Sequence, residues 1–175
     1  MSKGTAVVFV CLALLIGAVA TFLWYIGSRG FSARDKPGGF ETFLARRVRG
    51  LATPASVKGL RNPIEPDALA IAEGRDHFAD HCALCHANNG SGKTEMGGNM
   101  YPPAPDMRTG DTQDLTDGEI FNIIKNGVRF TGMPGWGDED EDNWKLVLFI
   151  RHLPQLSQIE LDLMREVNDQ GPEQE

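Results

Sequence analysis

The sequence predicts an all-α chain: one long apolar helix, a basic linker and a small helical domain. Three observations predict it. Thr5 to Ile26 is a run of 22 residues without a charge. Two capping boxes, Thr116-x-x-Glu119 and Ser157-x-x-Glu160, open segments with apolar residues at helical spacing. No βαβ pattern flanks the one cysteine-rich motif, Cys82-Ala83-Leu84-Cys85-His86.

At about 1.5 Å per residue, the first run spans about 33 Å, enough for a hydrocarbon core of about 30 Å. Trp24 and Tyr25 stand at its C-terminal end, where an interfacial aromatic belt belongs. Lys3 and the A-x-A-like Ala18-Val19-Ala20 also sketch a signal peptide. The apolar run continues six residues past Ala20, so residues 1–27 read as a retained transmembrane anchor. Cys11, inside it, reads as a small apolar side chain.

Residues 28–66 form a linker rich in Gly, Pro, Ser and Arg. Phe40, Phe43, Leu44 and Val48 share one helical face within Phe40–Arg49, with Arg46, Arg47 and Arg49 beside or opposite it. Such a helix suits a membrane interface, or packing on the domain or a partner subunit. Charge divides sharply here. Residues 28–62 hold eight Arg/Lys against two acids, while residues 63–175 hold eight against 22. A folded part with net −14 does not suit nucleic acid, which needs a basic face. It suits a redox protein partner with a basic docking face, and the neck suits anionic lipid.

Asp67 to Ala87 reads as one helix capped by Asp67 and running into the pentapeptide. C-x-x-C-H is the attachment signal for a c-type haem. Two thiols three apart reach the two vinyl groups of one porphyrin, and the next residue, His86, falls under the iron. Zinc needs about four ligands, and no second C-x-x-C is present. Gly74-x-x-x-Phe78-x-x-x-Cys82-x-x-Cys85-His86 resembles the class I monohaem c-type cytochromes, a likeness that extends over residues 67–154. It implies the cytochrome c fold around one haem c, with Gly74 and Phe78 letting the first helix cross the last at close range.

Asn88 to Pro105 holds four glycines and three prolines and reads as loop throughout. In the family it wraps the proximal side of the haem. Pro105-Asp106-Met107 resembles the family's segment whose proline carbonyl accepts from the proximal histidine; Pro102 and Pro103 are rivals for that role. The segment after Thr116 carries Ile120, Phe121, Ile123 and Ile124 and stops at Asn126-Gly127. Gly132-Met133-Pro134 resembles the family's distal-ligand turn, which makes Met133 the expected sixth ligand of the iron. Met100 is the runner-up; Met96, Met107 and Met164 lack that setting, Met164 lying past the domain. Trp136 borders a haem edge in this picture.

Asp138 to Asp142 reads as a solvated acidic turn or a docking patch. Asn143 to Leu153 forms the last domain helix, with Trp144, Val147, Leu148 and Ile150 inward and Phe149 beside them. Residues 155–175 supply a further helix, with Leu156, Ile159, Leu163 and Val167 in line, and a polar tail from Asn168. His77, His81 and His152 read as surface or core side chains.

The resemblance implies one-electron transfer in a respiratory-type chain, with both axial positions filled and no small-molecule substrate. The chain is then a carrier and not itself an enzyme. The alternatives are a fixed haem subunit of an oxidase or dehydrogenase complex, or a haem enzyme or gas sensor. Arg29 to Arg49 would lie in the cytoplasm under the positive-inside rule. The family's haem-attachment machinery works outside it, which implies a single-pass protein of the bacterial inner membrane with the haem domain in the periplasm.

Overall fold

The computed structural model describes residues 2–30, 32–137 and 140–168. The chain divides into two compact units, Met1–Asp35 and Lys36–Glu175. The first is helix α1, Lys3–Arg29, capped by Ser2 and closed by Gly30 at φ 72°. None of its residues is buried. Among the described residues it is the one helix long and apolar enough to cross a membrane.

In the second unit, α2 (Gly39–Ala52) and the single turn α3 (Ala55–Lys58) precede α4 (Ala68–His77). The Asp67 carboxylate caps α4 by accepting from the Ala70 N–H at 2.8 Å. The helix expected over 67–87 is then interrupted. Phe78–Cys82 forms a π-helical turn before α5, Ala83–His86, and Ala87 leaves the helix at φ 59°. A widened i→i+5 turn inserts one residue and rotates the next turn of helix about its axis, so Cys82 and Cys85 stand on different kinds of turn.

Gly74 sits where α4 crosses α9 (Asp140–His152). A Cβ there would lie 2.2 Å from the Lys145 carbonyl oxygen and 3.2 Å from the Phe149 Cβ. The two backbones therefore touch, and one turn on Phe78 meets Phe149, ring centroids 5.1 Å apart. Phe78, Leu146, Val147, Phe149, Leu153 and Met164 are fully or almost fully buried around this crossing. Leu146, not Leu148, is the inward leucine: Leu148 is half-buried. The helix also starts three residues before Asn143, because Asp140, Glu141 and Asp142 fill its first turn, where acids favour the helix dipole. Asp140 pairs with Lys125, and Glu141 with Lys145. The rest of the acidic run, Asp138 and Glu139, lies outside the described residues, as does the tail beyond Asn168.

Helix α8, Asp117–Asn126, opens on the expected capping box and ends at Gly127 with φ 67°. Ile120, Phe121 and Ile124 face the core, and Phe121 stacks on Trp144 at 4.1 Å. Two one-turn helices, α6 (Glu95–Gly98) and α7 (Gly110–Gln113), interrupt stretches too short and glycine-rich to show a helical period. The reading of 88–105 as loop throughout is corrected accordingly.

The linker expected over 28–66 packs its backbone on the domain from Ala55 onward, and α2 before it touches the domain through the Glu41–Tyr101 and Arg46–Asp111 pairs. A Cβ on Gly118 would lie 1.9 Å from the Val57 carbonyl, so the start of α8 rests directly on α3. The Asn62 amide donates to the Trp144 carbonyl at 2.9 Å. At the other end, α10 (Gln158–Val167) docks through Met164, which is completely buried. The apolar line expected on α10 is one position off: Ile159, Leu163 and Val167 stay exposed. Asn88 and Asn168 exchange amide hydrogen bonds at 3.0 Å, closing the helix onto the loop after the motif.

Glu160 makes the α10 contact pH-dependent. Burial opposes its charge, but hydrogen bonds from Ser157 and the charge and hydrogen bond of His152 hold its pKa below the usual value. A carboxylate with a depressed folded pKa contributes stability above the unfolded value of about 4.3 and loses it as pH falls through the folded one. Amide hydrogen exchange in α10 should therefore accelerate below about pH 4 relative to the α4–α9 crossing. Glu160→Gln should flatten that dependence.

Candidate functional site

The motif is held by the loop after it. The Gly92 N–H donates to the His86 carbonyl at 2.9 Å. The Thr94 hydroxyl donates to the Leu84 carbonyl at 2.8 Å and also lies 3.2 Å from that of Cys85. Two glycines make this closeness possible. A Cβ on Gly97 would lie 2.1 Å from the Cys85 carbonyl, and one on Gly92 would lie 2.3 Å from the Ala104 carbonyl. Gly92 also needs its φ of 70°. The same chain segment therefore fixes the back of the motif and the position of Pro105.

His86 has a buried Nδ1 that lacks a well-formed hydrogen bond. The Pro105 backbone carbonyl acts on the imidazole. Burial pushes the imidazole pKa down to about 4, and Pro105 opposes that shift only in part. His86 is therefore neutral at physiological pH, which a metal-ligating imidazole must be. Pro102 and Pro103 have no such influence on His86; Pro105 does.

Burial, with Cys85 adding to it, drives the Cys82 thiol up to about 12, and burial raises Cys85 as well. A bound zinc would deprotonate these thiols itself, but it needs about four ligands. No three His, Cys, Asp or Glu side chains cluster as a metal site among the described residues. The arrangement fits a haem c instead: two half-buried thiols three apart, followed directly by an imidazole with a buried Nδ1.

Met133 lies half-buried in the turn after α8. Its N–H donates to the Thr131 hydroxyl and its carbonyl accepts from the Val128 N–H, both at 3.1 Å. A Cβ on Gly127 would lie 2.6 Å from the Met133 carbonyl oxygen, so the turn folds back on the end of α8. A Cβ on Gly132 would lie 2.3 Å from the Met100 sulfur. The Met100 thioether thus lies against the residue that precedes Met133. Trp136 is anchored by its N–H to the Ile124 carbonyl at 3.0 Å. Its ring meets His81 edge-on at 5.3 Å, which brings the methionine turn against the motif helix one residue before Cys82.

His81, expected as a surface or core side chain, is exposed. It packs obliquely on His77 at 4.9 Å and ties that pair to Trp136.

Comparison with known proteins agrees with this geometry. Residues 69–150 match the family model described as cytochrome c oxidase, cbb3-type, subunit III. The chain is 34% identical over 70 residues to the cbb3-type cytochrome c oxidase subunit CcoP of Cereibacter sphaeroides, covering 40% of this chain and 22% of that protein. It is 32% identical over 90 residues to the subunit FixP of Azorhizobium caulinodans, covering 46% and 26%. The matched stretches span about a quarter of those relatives. With its all-helical second unit, the α4–α9 crossing and the haem motif, the chain carries a helical domain similar to the cbb3-type subunit III family over residues 69–150, preceded by an N-terminal apolar helix.

Proposed function

We propose that this chain transfers one electron at a time through a single haem c, tethered at the periplasmic face of a bacterial inner membrane by α1. One haem follows from one C-x-x-C-H in the sequence. Cys82 and Cys85 would hold it covalently, with His86 and Met133 as axial ligands. When bound, the group supplies a reversible Fe(II)/Fe(III) couple. The observation that carries the reading is the motif's placement: Cys82, Cys85 and His86 follow one another over two short turns, with the His86 Nδ1 buried and the Pro105 carbonyl acting on the ring. Pro105 sets the ring's tautomer, which strengthens the opposite nitrogen as a donor. Met133 would supply a soft thioether as the second protein ligand of the group, and methionine paired with histidine raises the reduction potential. With two protein ligands the group would carry electrons and would bind no substrate.

The fixed-subunit reading has its own support, because both similar proteins are named as subunits of cbb3-type cytochrome c oxidases. In that setting this chain would pass electrons to a larger complex and would not itself catalyse the complex's reaction. Carbon monoxide tests the closed site. The reduced protein should show no spectral change on exposure to the gas; a rapid change would favour a sensor or haem enzyme. Cys82→Ser together with Cys85→Ser should abolish haem staining after denaturing electrophoresis.

A further inference from the structure

Helix α2 presents an apolar face that the second unit does not cover. Phe40, Phe43, Leu44, Val48 and Leu51 all lie on one arc of the helix, and Phe40 and Leu51 are 79% and 86% exposed. The opposite side is fixed to the haem domain by polar groups. The Tyr101 hydroxyl donates to Glu41 at 2.5 Å, Arg46 pairs with Asp111, and the Lys58 ammonium donates to the Gly50 carbonyl at 2.6 Å. Thr42, Arg49 and Gly50 on that side are half-buried. The helix is thus held with its apolar arc turned outward.

Arg47 identifies the occupant. It lies within the apolar arc, and its guanidinium sits over the Phe43 ring at 5.2 Å. In a dry contact between proteins this cation would be desolvated in the middle of the interface. At a bilayer surface its stem can lie along the acyl boundary while the guanidinium reaches a lipid phosphate. Nine residues separate Arg29 from Gly39, a tether of at most about 35 Å counted over ten Cα steps. The linker around the helix is basic, which favours an anionic surface.

We propose that α2 lies in the headgroup region of the anionic bilayer that holds α1, and that its contacts with Tyr101 and Asp111 fix the orientation of the haem domain on that surface. The idea rests on α1 being embedded in the membrane, and the test scores that separately.

Full-length protein with Cys11→Ser is reconstituted at one copy per lipid nanodisc and spin-labelled at single substitutions. Ala13→Cys reports α1, Phe40→Cys and Leu51→Cys report the apolar arc, and Ala45→Cys reports the exposed side away from it. The background without added cysteine should take up no label, which reports the Cys82 and Cys85 thioethers independently. In discs containing phosphatidylglycerol, labels at 13, 40 and 51 should collide with oxygen more than with a water-soluble nickel chelate. Position 45 should show the reverse. Phosphatidylcholine discs should weaken protection at 40 and 51 but not at 13. Water-exposed labels at 40 and 51 beside a protected label at 13 would overturn the proposal while leaving α1 in place; exposure at all three would overturn both. Equal protection in both lipids would overturn the anionic preference. Protection that appears only with two copies per disc would assign the face to a second copy.

Discussion

Gly74→Ala should cost the haem domain most of its stability. The added methyl would lie 2.2 Å from the Lys145 carbonyl oxygen and 2.7 Å from its carbon. These are backbone atoms inside α9, so no side-chain rotation relieves the clash. The helices must separate, and Phe78 and Phe149, both completely buried, lose their contact. Overpacking a well-fitted core costs about 1–3 kcal/mol, and an unyielding backbone clash costs more. Against a typical total of about 5–15 kcal/mol, a loss above about 3 kcal/mol leaves little margin. Thermal unfolding of the haem-loaded protein should show it, along with a fall in the yield of covalently attached haem. Gly98→Ala is the control: no atom lies within 4 Å of its added Cβ, and the change should stay within about 0.5 kcal/mol. If the two variants unfold alike, the crossing is not the keystone of the fold.

The contrast between Gly74 and the π-turn shows which features a sequence exposes. A glycine inside a helical period, four residues before an aromatic and eight before a cysteine, announces a close crossing. Capping boxes at Thr116 and Ser157 are equally plain, because their chemistry is local. The π-turn over Phe78–Cys82 has no such signature, since its register answers to what Phe78 packs against. The docking of residues 55–64 was hidden for the same reason. Its contacts, Val57 against Gly118 and Asn62 against Trp144, join positions about 60 and 82 residues apart. Met164 looked external because it lies beyond a proline, yet the turn over Leu153–Gln155 folds α10 back onto the core. In the candidate site, covalent chemistry forces Cys82, Cys85 and His86 to be neighbours in sequence. The convergence of Met100 with Gly132 and of Trp136 with His81 depends on tertiary structure and could not be read along the chain.

Met133→Ala should convert a low-spin, six-coordinate haem protein into one with an open axial position. The reduced variant should then bind carbon monoxide, and its reduction potential should fall. Axial ligands set haem potentials over a range of about 0.8 V, and the thioether lies toward the upper end of the choices available opposite histidine. Met100 makes this more than a routine substitution. Its sulfur lies 2.3 Å from where a Gly132 Cβ would stand, beside the proposed ligand, so it is the nearest thioether to take over. Three spectra decide between them. Met133→Ala should lose the far-red methionine–iron band, Met100→Ala should keep it, and the double variant should match Met133→Ala. If Met133→Ala retains the band and only the double variant loses it, Met100 can replace Met133 at the iron. If Met100→Ala alone loses it, Met133 is the packing residue, and the Gly-Met-Pro turn serves to seat the other thioether against Gly132. The hydrogen bonds of Met133 to Thr131 and Val128 favour the first outcome, because they hold the Met133 backbone in one position, whereas Met100 follows the end of α6.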